Sequence, residues 1–376
     1  MWKGDSTREP IYVTKPLKPN LEHLSKGLND IYSRGILTNS GPLNNELEFC
    51  LNKRLGGEEF LLFNNGTIAL MAAIAALELP EKSEIITTPF TFAATVHAIT
   101  SLGYKPVFAD ITPESMTICP NSIERLITDK TSCILGVHVY GNPCDVVKID
   151  LIAKKYKLFT IYDAAHAFDT KINGLPISRY GDATMFSFHA TKLFNTVEGG
   201  GLALNCKMIA NRVRNYRNFG ITGEESVTSV GINGKMSEVH ALVGLLNIEE
   251  LDLEVSARKK IRSIYDEAFL SSELIVTPEI ESHVNSSQQY YPIRIKKYRD
   301  LVYNELKKSN VFSRKYFYPL CSDYDCYKNS GIRQDELTNS KWASSEVLCL
   351  PFYGELSEMD ARYISSCILE IIENAE

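Results

Sequence analysis

A chain of 376 residues is too long for one small core and points to two domains, with three also open. Its apolar and charged fractions, 44% and 23%, are those of an ordinary folded soluble protein. A net charge of only −6, with acids and bases interspersed, argues against nucleic acid or an anionic membrane as the main partner while leaving room for a local basic pocket.

The first ten residues are polar and lack the apolar core of a secretory signal, and no apolar run is long enough to span a bilayer, so a cytoplasmic setting is expected. Nine cysteines, an odd number without close pairing, suit reduced thiols. Cys321 and Cys326 have no His or Cys cluster nearby, so no metal site is expected.

Residues 10–20 hold three prolines and no periodicity, which predicts an extended arm ahead of a helix over 21–34. A turn-rich loop over 35–42 leads into a second helix, 43–54. A short apolar strand, 60–63, then meets Asn64-Asn65-Gly66-Thr67, and 68–79 reads as an alanine-rich helix with an Asn as its N-cap. The free amides and positive dipole end of such a helix point out of the turn and make an anion site, although a plain capped helix reads the same way. Neither a Walker loop nor a GxGxxG is present here.

Strands at 84–87, 106–109, 133–139 and 159–162 alternate with helices at 91–102, 122–126 and 147–156. This order implies an α/β fold, a mostly parallel sheet with helices on both faces. Ligands of such sheets gather at the carboxyl ends of the strands, where Asp163 is expected. Two further strands, 184–188 and 201–204, flank a loop that carries Lys192 and three consecutive glycines beginning at Gly199. Residues 219–231 are rich in Gly and Ser and carry no period. A proline-free helical region over 237–271, with a break expected near 251–255, leads to a smaller α+β part. Its strands are expected at 289–295 and 347–350, and its helices at 298–309 and 359–374. The expected division is a large domain over 10–240, and a connecting helix with a small domain over 241–376.

A lysine held between apolar strands loses its proton more readily and condenses with an aldehyde, which is how pyridoxal phosphate is usually held. That cofactor also asks for an acid at its ring nitrogen, anion donors for its phosphate and flat groups on its ring faces. Asp163 is the candidate acid. Gly66 and Thr67, with Ser187, are the candidate phosphate ligands. His166 is placed on one ring face, with Phe92 or Phe90 on the other. Taken singly, Asp163 reads as a solvated strand-end acid, His166 as a core histidine, Phe92 as packing and Ser187 as a solvent-facing residue. Their joint occurrence with Lys192 carries the reading.

Several stretches share one further feature. Asn65-Gly66-Thr67-Ile68-Ala69-Leu70, Pro89-Phe90-Thr91-Phe92-Ala93-Ala94-Thr95, Asp163-Ala164-Ala165-His166-Ala167, Ser187-Phe188-His189-Ala190-Thr191-Lys192 and Gly231-Ile232-Asn233-Gly234 resemble, in the same order, the nucleotide-sugar aminotransferases called DegT/DnrJ/EryC1/StrS. The resemblance covers nearly the whole chain. It implies the fold type I, aspartate-aminotransferase-like architecture, with a seven-stranded sheet in the large domain and pyridoxal 5'-phosphate as cofactor. It also implies that Lys192 forms the imine, Asp163 meets the ring nitrogen, and Ser187 with the Gly66 and Thr67 amides holds the phosphate. His166 takes the position that stacks on or flanks the ring. Asn233 matches a residue that in relatives reaches the phosphate of the neighbouring subunit, which implies a homodimer with active sites at its interface.

Relatives with His in place of the lysine deoxygenate their sugars, so Lys192 favours the transaminase branch. The runs 189–200 and 315–320 resemble members that move the amino group of L-glutamate to C4 of dTDP-4-dehydro-6-deoxy-D-glucose. Their product, dTDP-4-amino-4,6-dideoxy-D-glucose, serves surface polysaccharide (O-antigen) synthesis. Amination at C3, a different nucleotide, and a non-enzymatic cofactor-bound regulator are the alternatives; the last needs a basic patch or extra domain that the sequence does not display.

Overall fold

The computed structural model describes residues 8–376, so the start of the polar N-terminal stretch, residues 1–7, lies outside the described residues. A seven-stranded sheet is built from β1 (Glu59–Phe63), β2 (Glu84–Thr87), β3 (Lys105–Phe108), β4 (Thr131–Val137), β5 (Phe159–Asp163), β6 (Ala183–Ser187) and β7 (Gly200–Leu204). Their spatial order is β1-β7-β6-β5-β4-β2-β3. Every pairing is parallel except the two made by β7. The mostly parallel α/β architecture expected from the sequence is therefore the one the chain adopts.

These strands read as near-continuous apolar runs because both faces are covered. Alternate residues feed two separate cores. Leu61, Leu135, Ile161 and Met185 belong to one, and Leu62, Ile134, Tyr162 and Phe186 to the other. The first core also holds α1 (Gly66–Ala76), whose small alanines let it pack against the sheet and against the helices Ala93–Ser101 and Lys207–Arg217. Asn65, in extended backbone, caps α1 by accepting the Ile68 amide at 2.8 Å.

The helical region after residue 237 differs from expectation. It is one unbroken helix, α2 (Glu238–Phe269), 32 residues long, with no break near 251–255. No proline interrupts it, and Leu251 and Glu254 are buried at the expected break, so packing holds that turn helical. Its first half packs against the sheet core through Ala241 and Leu251, while Ile261, Ile264 and Phe269 enter a third core. That third core is built on an antiparallel sheet of Ile275–Val276, Tyr291–Ile295 and Val347–Leu350 and on the helices Arg299–Lys308 and Glu358–Glu373. The proline-containing arm joins it: Ile11 pairs in parallel with Val311 and is buried there. Within 219–231 the chain forms a short exposed hairpin of Ile221–Gly223 and Ser226–Val227. Among the described residues no helix is long and apolar enough to cross a membrane.

Candidate active site

The register places Val137 and Asp163, the last residues of β4 and β5, beside Met185 in the middle of β6. All three line a cavity of about 370 Å³ that also takes in Gly66, Thr67, Phe92, His166, Ser187 and Lys192. Seven residues singled out in the sequence thus meet in one place. Asn233 is exposed and lies outside the cavity of its own chain; its carbonyl accepts from the Asn64 amide group at 3.5 Å.

The anion end of the cavity follows from local chain geometry. The first amide paired inside α1 is that of Ala69, which donates to Asn65 O at 3.1 Å, and the Ile68 amide is taken by the cap. The Gly66 and Thr67 amides precede that first bond, so the helix leaves them for a ligand. Ser187, at the end of β6, stands beside them, because a Cβ on Gly66 would meet the Ser187 Cβ at 3.2 Å. Gly200 makes this approach possible: a Cβ there would stand 2.6 Å from the Gly66 nitrogen. The glycine run thus serves backbone contact between β7 and the turn before α1.

Asp163 is buried, and both of its carboxylate oxygens are engaged. The Ala165 amide donates to Oδ1 at 3.0 Å and the Thr95 hydroxyl to Oδ2 at 2.8 Å. Thr95 in turn lies 2.8 Å from the Thr91 hydroxyl. Burial raises the Asp163 carboxyl above the ordinary carboxylate range, while these bonds and the charge of Lys192 pull it back down. Lys192 moves the other way. Burial lowers its ammonium from 10.5 to about 8, against the opposing pull of Asp163. A lysine so tuned offers a substantial neutral fraction near neutral pH, as a nucleophile or base requires.

His166 is held with its ring parallel to Phe317, 5.6 Å away and 6° off plane, and its Nδ1 accepts the Tyr140 amide at 3.3 Å. Burial first, and the nearby lysine second, hold it well below the ordinary histidine range, so it presents a neutral flat face. Of the two phenylalanines considered for the opposite side, Phe92 lines the cavity, whereas Phe90 is fully buried in the core against Tyr140 and Phe317. Phe90 therefore does not line the cavity. Tyr290, Tyr316 and Phe317 complete the wall, and Lys192 Nζ lies 5.8 Å from the Tyr290 ring centre. Tyr316 and Phe317 fall inside the run 315–320 noted above; Tyr290 carries no local signal. Thr91 and Thr95 sit inside a motif already noted, and their link to Asp163 needs the folded chain.

An α/β sheet that gathers a lysine of lowered basicity, a buried carboxylate and an anion-receiving helix start at its carboxyl edge suits amine chemistry on an anionic ligand. Residues 21–369 match the DegT/DnrJ/EryC1/StrS aminotransferase family, and the chain belongs to it, which makes that chemistry an aminotransferase's. It is 42% identical over 369 residues to a dTDP-4-amino-4,6-dideoxy-D-glucose transaminase of Shigella dysenteriae, covering 96% of this chain and 99% of that one. A transaminase of the same name from Escherichia coli is 40% identical over 367 residues, covering 96% and 98%. Among solved structures, DesI in the presence of its TDP-sugar product superposes with a TM-score of 0.93 at 30% identity, covering 98% of this chain and 95% of that one.

Proposed function

We propose that this chain is a pyridoxal 5'-phosphate-dependent transaminase that moves the amino group of L-glutamate to C4 of dTDP-4-dehydro-6-deoxy-D-glucose, yielding dTDP-4-amino-4,6-dideoxy-D-glucose. The observation that carries the reading is the convergence of Lys192, Asp163, Ser187 and the start of α1 on one cavity. The substrate rests on the two 40–42% identical relatives, which span nearly the whole chain.

The residues present fit this cofactor. The free Gly66 and Thr67 amides with the Ser187 hydroxyl suit a phosphate, Asp163 suits a protonated ring nitrogen, and Lys192 suits an aldehyde. When bound, pyridoxal phosphate supplies an electron-poor ring that accepts the electron pair left when an amino acid loses its Cα proton. The protein's part is to bind, orient and move protons. Asp163, oriented by Ala165 and Thr95, would meet the ring nitrogen. Neutral His166 provides a flat face without adding charge. Lys192, with its lowered basicity, takes and returns the proton at the reacting carbon. The reaction belongs in the cytoplasm, as a step towards surface polysaccharide. The working unit is a homodimer in which the outward-facing Asn233 of each chain reaches the other's phosphate site, a reading supported by its exposure outside its own cavity.

The test is incubation of purified protein with L-glutamate and, in parallel, the dTDP-linked 4-keto and 3-keto 6-deoxysugars, with the aminated carbon assigned by NMR. Amination of the 4-keto sugar is expected, and Lys192→Ala abolishes it. Amination of the 3-keto compound alone would overturn the carbon assignment. A wild-type protein that stays colourless after adding pyridoxal phosphate and then a keto acid would overturn the cofactor.

A further inference from the structure

The residues that hold Lys192 in place come from far along the chain. Gln289, buried and 97 positions from the lysine, reaches the backbone on both sides of it: the Leu193 amide donates to Gln289 Oε1 at 2.6 Å, and Gln289 Nε2 donates to the Thr191 carbonyl at 3.2 Å. The side-chain amide thus brackets Lys192 like a rung of sheet. Gln289 is itself fixed from behind. Arg258, fully buried on α2, donates to the Gln288 and Gln289 carbonyls at 3.1 and 3.2 Å. Its guanidinium is paired with Glu254, one turn earlier, at 2.7 Å. The same Glu254 oxygen accepts the amide of Gly354, next to Pro351-Phe352-Tyr353, at 2.9 Å.

Two considerations give this chain of contacts a role beyond packing. A buried amide side chain that satisfies one donor and one acceptor on the same short loop leaves that loop one seat, since either bond broken alone strands a buried polar group. The lysine must also leave and regain one position during each turnover, so its backbone has to stay fixed while its side chain moves. We propose that Gln289, seated by the buried Arg258–Glu254 pair, is a positioning residue that fixes the backbone of Lys192 so that its amine returns to the reacting carbon. This rests on the transaminase reading given above and goes beyond it in assigning a residue that does not face the substrate.

The experiment uses the full-length holoenzyme carrying Gln289→Leu, which removes both bonds, and Gln289→Glu, which keeps an acceptor for the Leu193 amide. The readout is the single-turnover rate at which L-glutamate bleaches the visible band of the bound cofactor, as a function of glutamate concentration, alongside the melting temperature. In Gln289→Leu the saturated rate is expected to fall at least about tenfold, equivalent to one decade of misplacement cost, with half-saturation within about twofold of wild type. Gln289→Glu falls between the two. Saturated rates within about twofold of wild type in whichever variants fold would overturn the proposal. So would a lowered melting temperature or raised half-saturation at an unchanged saturated rate, the mark of a purely structural residue. A wild-type holoenzyme whose band glutamate does not bleach defeats the transaminase reading instead, so the two failures are distinct.

Discussion

Lys192→Met removes the amine and keeps an unbranched chain of similar reach. In the fold the ammonium is lowered from 10.5 to about 8, so an unfolded chain binds its proton more tightly than the folded one. Linkage then makes Lys192 a destabilising group at neutral pH. A depression of this size is equivalent to ~3 kcal/mol at pH 7, and because the amine lines an open cavity the retained effect is taken as about 1–3 kcal/mol. The sign follows from proton counting. Between pH 8 and 10.5 the unfolded wild type holds more protons than the folded one, so wild-type stability rises through that window.

The methionine variant carries no such proton and shows no such rise. Freed of cofactor and compared at equal protein concentration, it is expected to unfold at higher urea than wild type at pH 7, with the gap closing as pH climbs from 8 towards 10.5. Its transaminase activity is lost. Two results would refute the reasoning: a methionine variant no more stable than wild type at pH 7, or a gap that stays constant across the alkaline window. The burial that readies the lysine for chemistry is what destabilises it, a local form of the trade between stability and activity.

Three other perturbations test the rest of the site. Asp163→Asn keeps the shape and removes the charge proposed to meet the ring nitrogen, so kcat is expected to fall by about 10²–10³ while the KM for glutamate stays close to wild type; a kcat within threefold would contradict that role. Gly200→Ala puts a Cβ 2.6 Å from the Gly66 nitrogen and 2.7 Å from its Cα. At the ~1–3 kcal/mol usual for overpacking, the turn before α1 shifts, and equilibrium titration should show the cofactor bound at least about tenfold more weakly. Glu238, at the start of α2, is fully buried and accepts the Leu43 amide at 3.0 Å, the Asn44 amide at 2.9 Å and the Asn44 side chain at 2.7 Å. Glu238→Ala strands these donors at the start of the helix Pro42–Leu55 and is expected to cost about 3–5 kcal/mol in urea unfolding, whereas a loss under 1 kcal/mol would show that water replaces the carboxylate.

Alternation of apolar runs with helical periods was sufficient to announce the central sheet, since fully covered parallel strands must be apolar throughout and their crossovers must be helical. The cap at Asn65, the strand-end Asp163 and the lysine in its glycine-rich loop were likewise legible, because each depends on its immediate neighbours in the chain. The same local reading erred where packing overrides propensity. The turn at 251–255 stays helical because Leu251 and Glu254 are buried, and Phe90, a plausible ring partner by spacing, turns into the core while Phe92 faces the cavity.

Contacts between distant segments were beyond the sequence altogether. Nothing near residue 11 announces a partner at Val311, and nothing near Lys192 announces Gln289, Tyr290 or Phe317. Which strand is antiparallel, which aromatic faces the cavity and which side chain bonds the backbone beside the lysine were decided only when the chain closed on itself. Residues hundreds of positions apart leave no period in the sequence between them. The chemistry of this protein was therefore determined by short motifs, and the positioning of that chemistry by its tertiary fold.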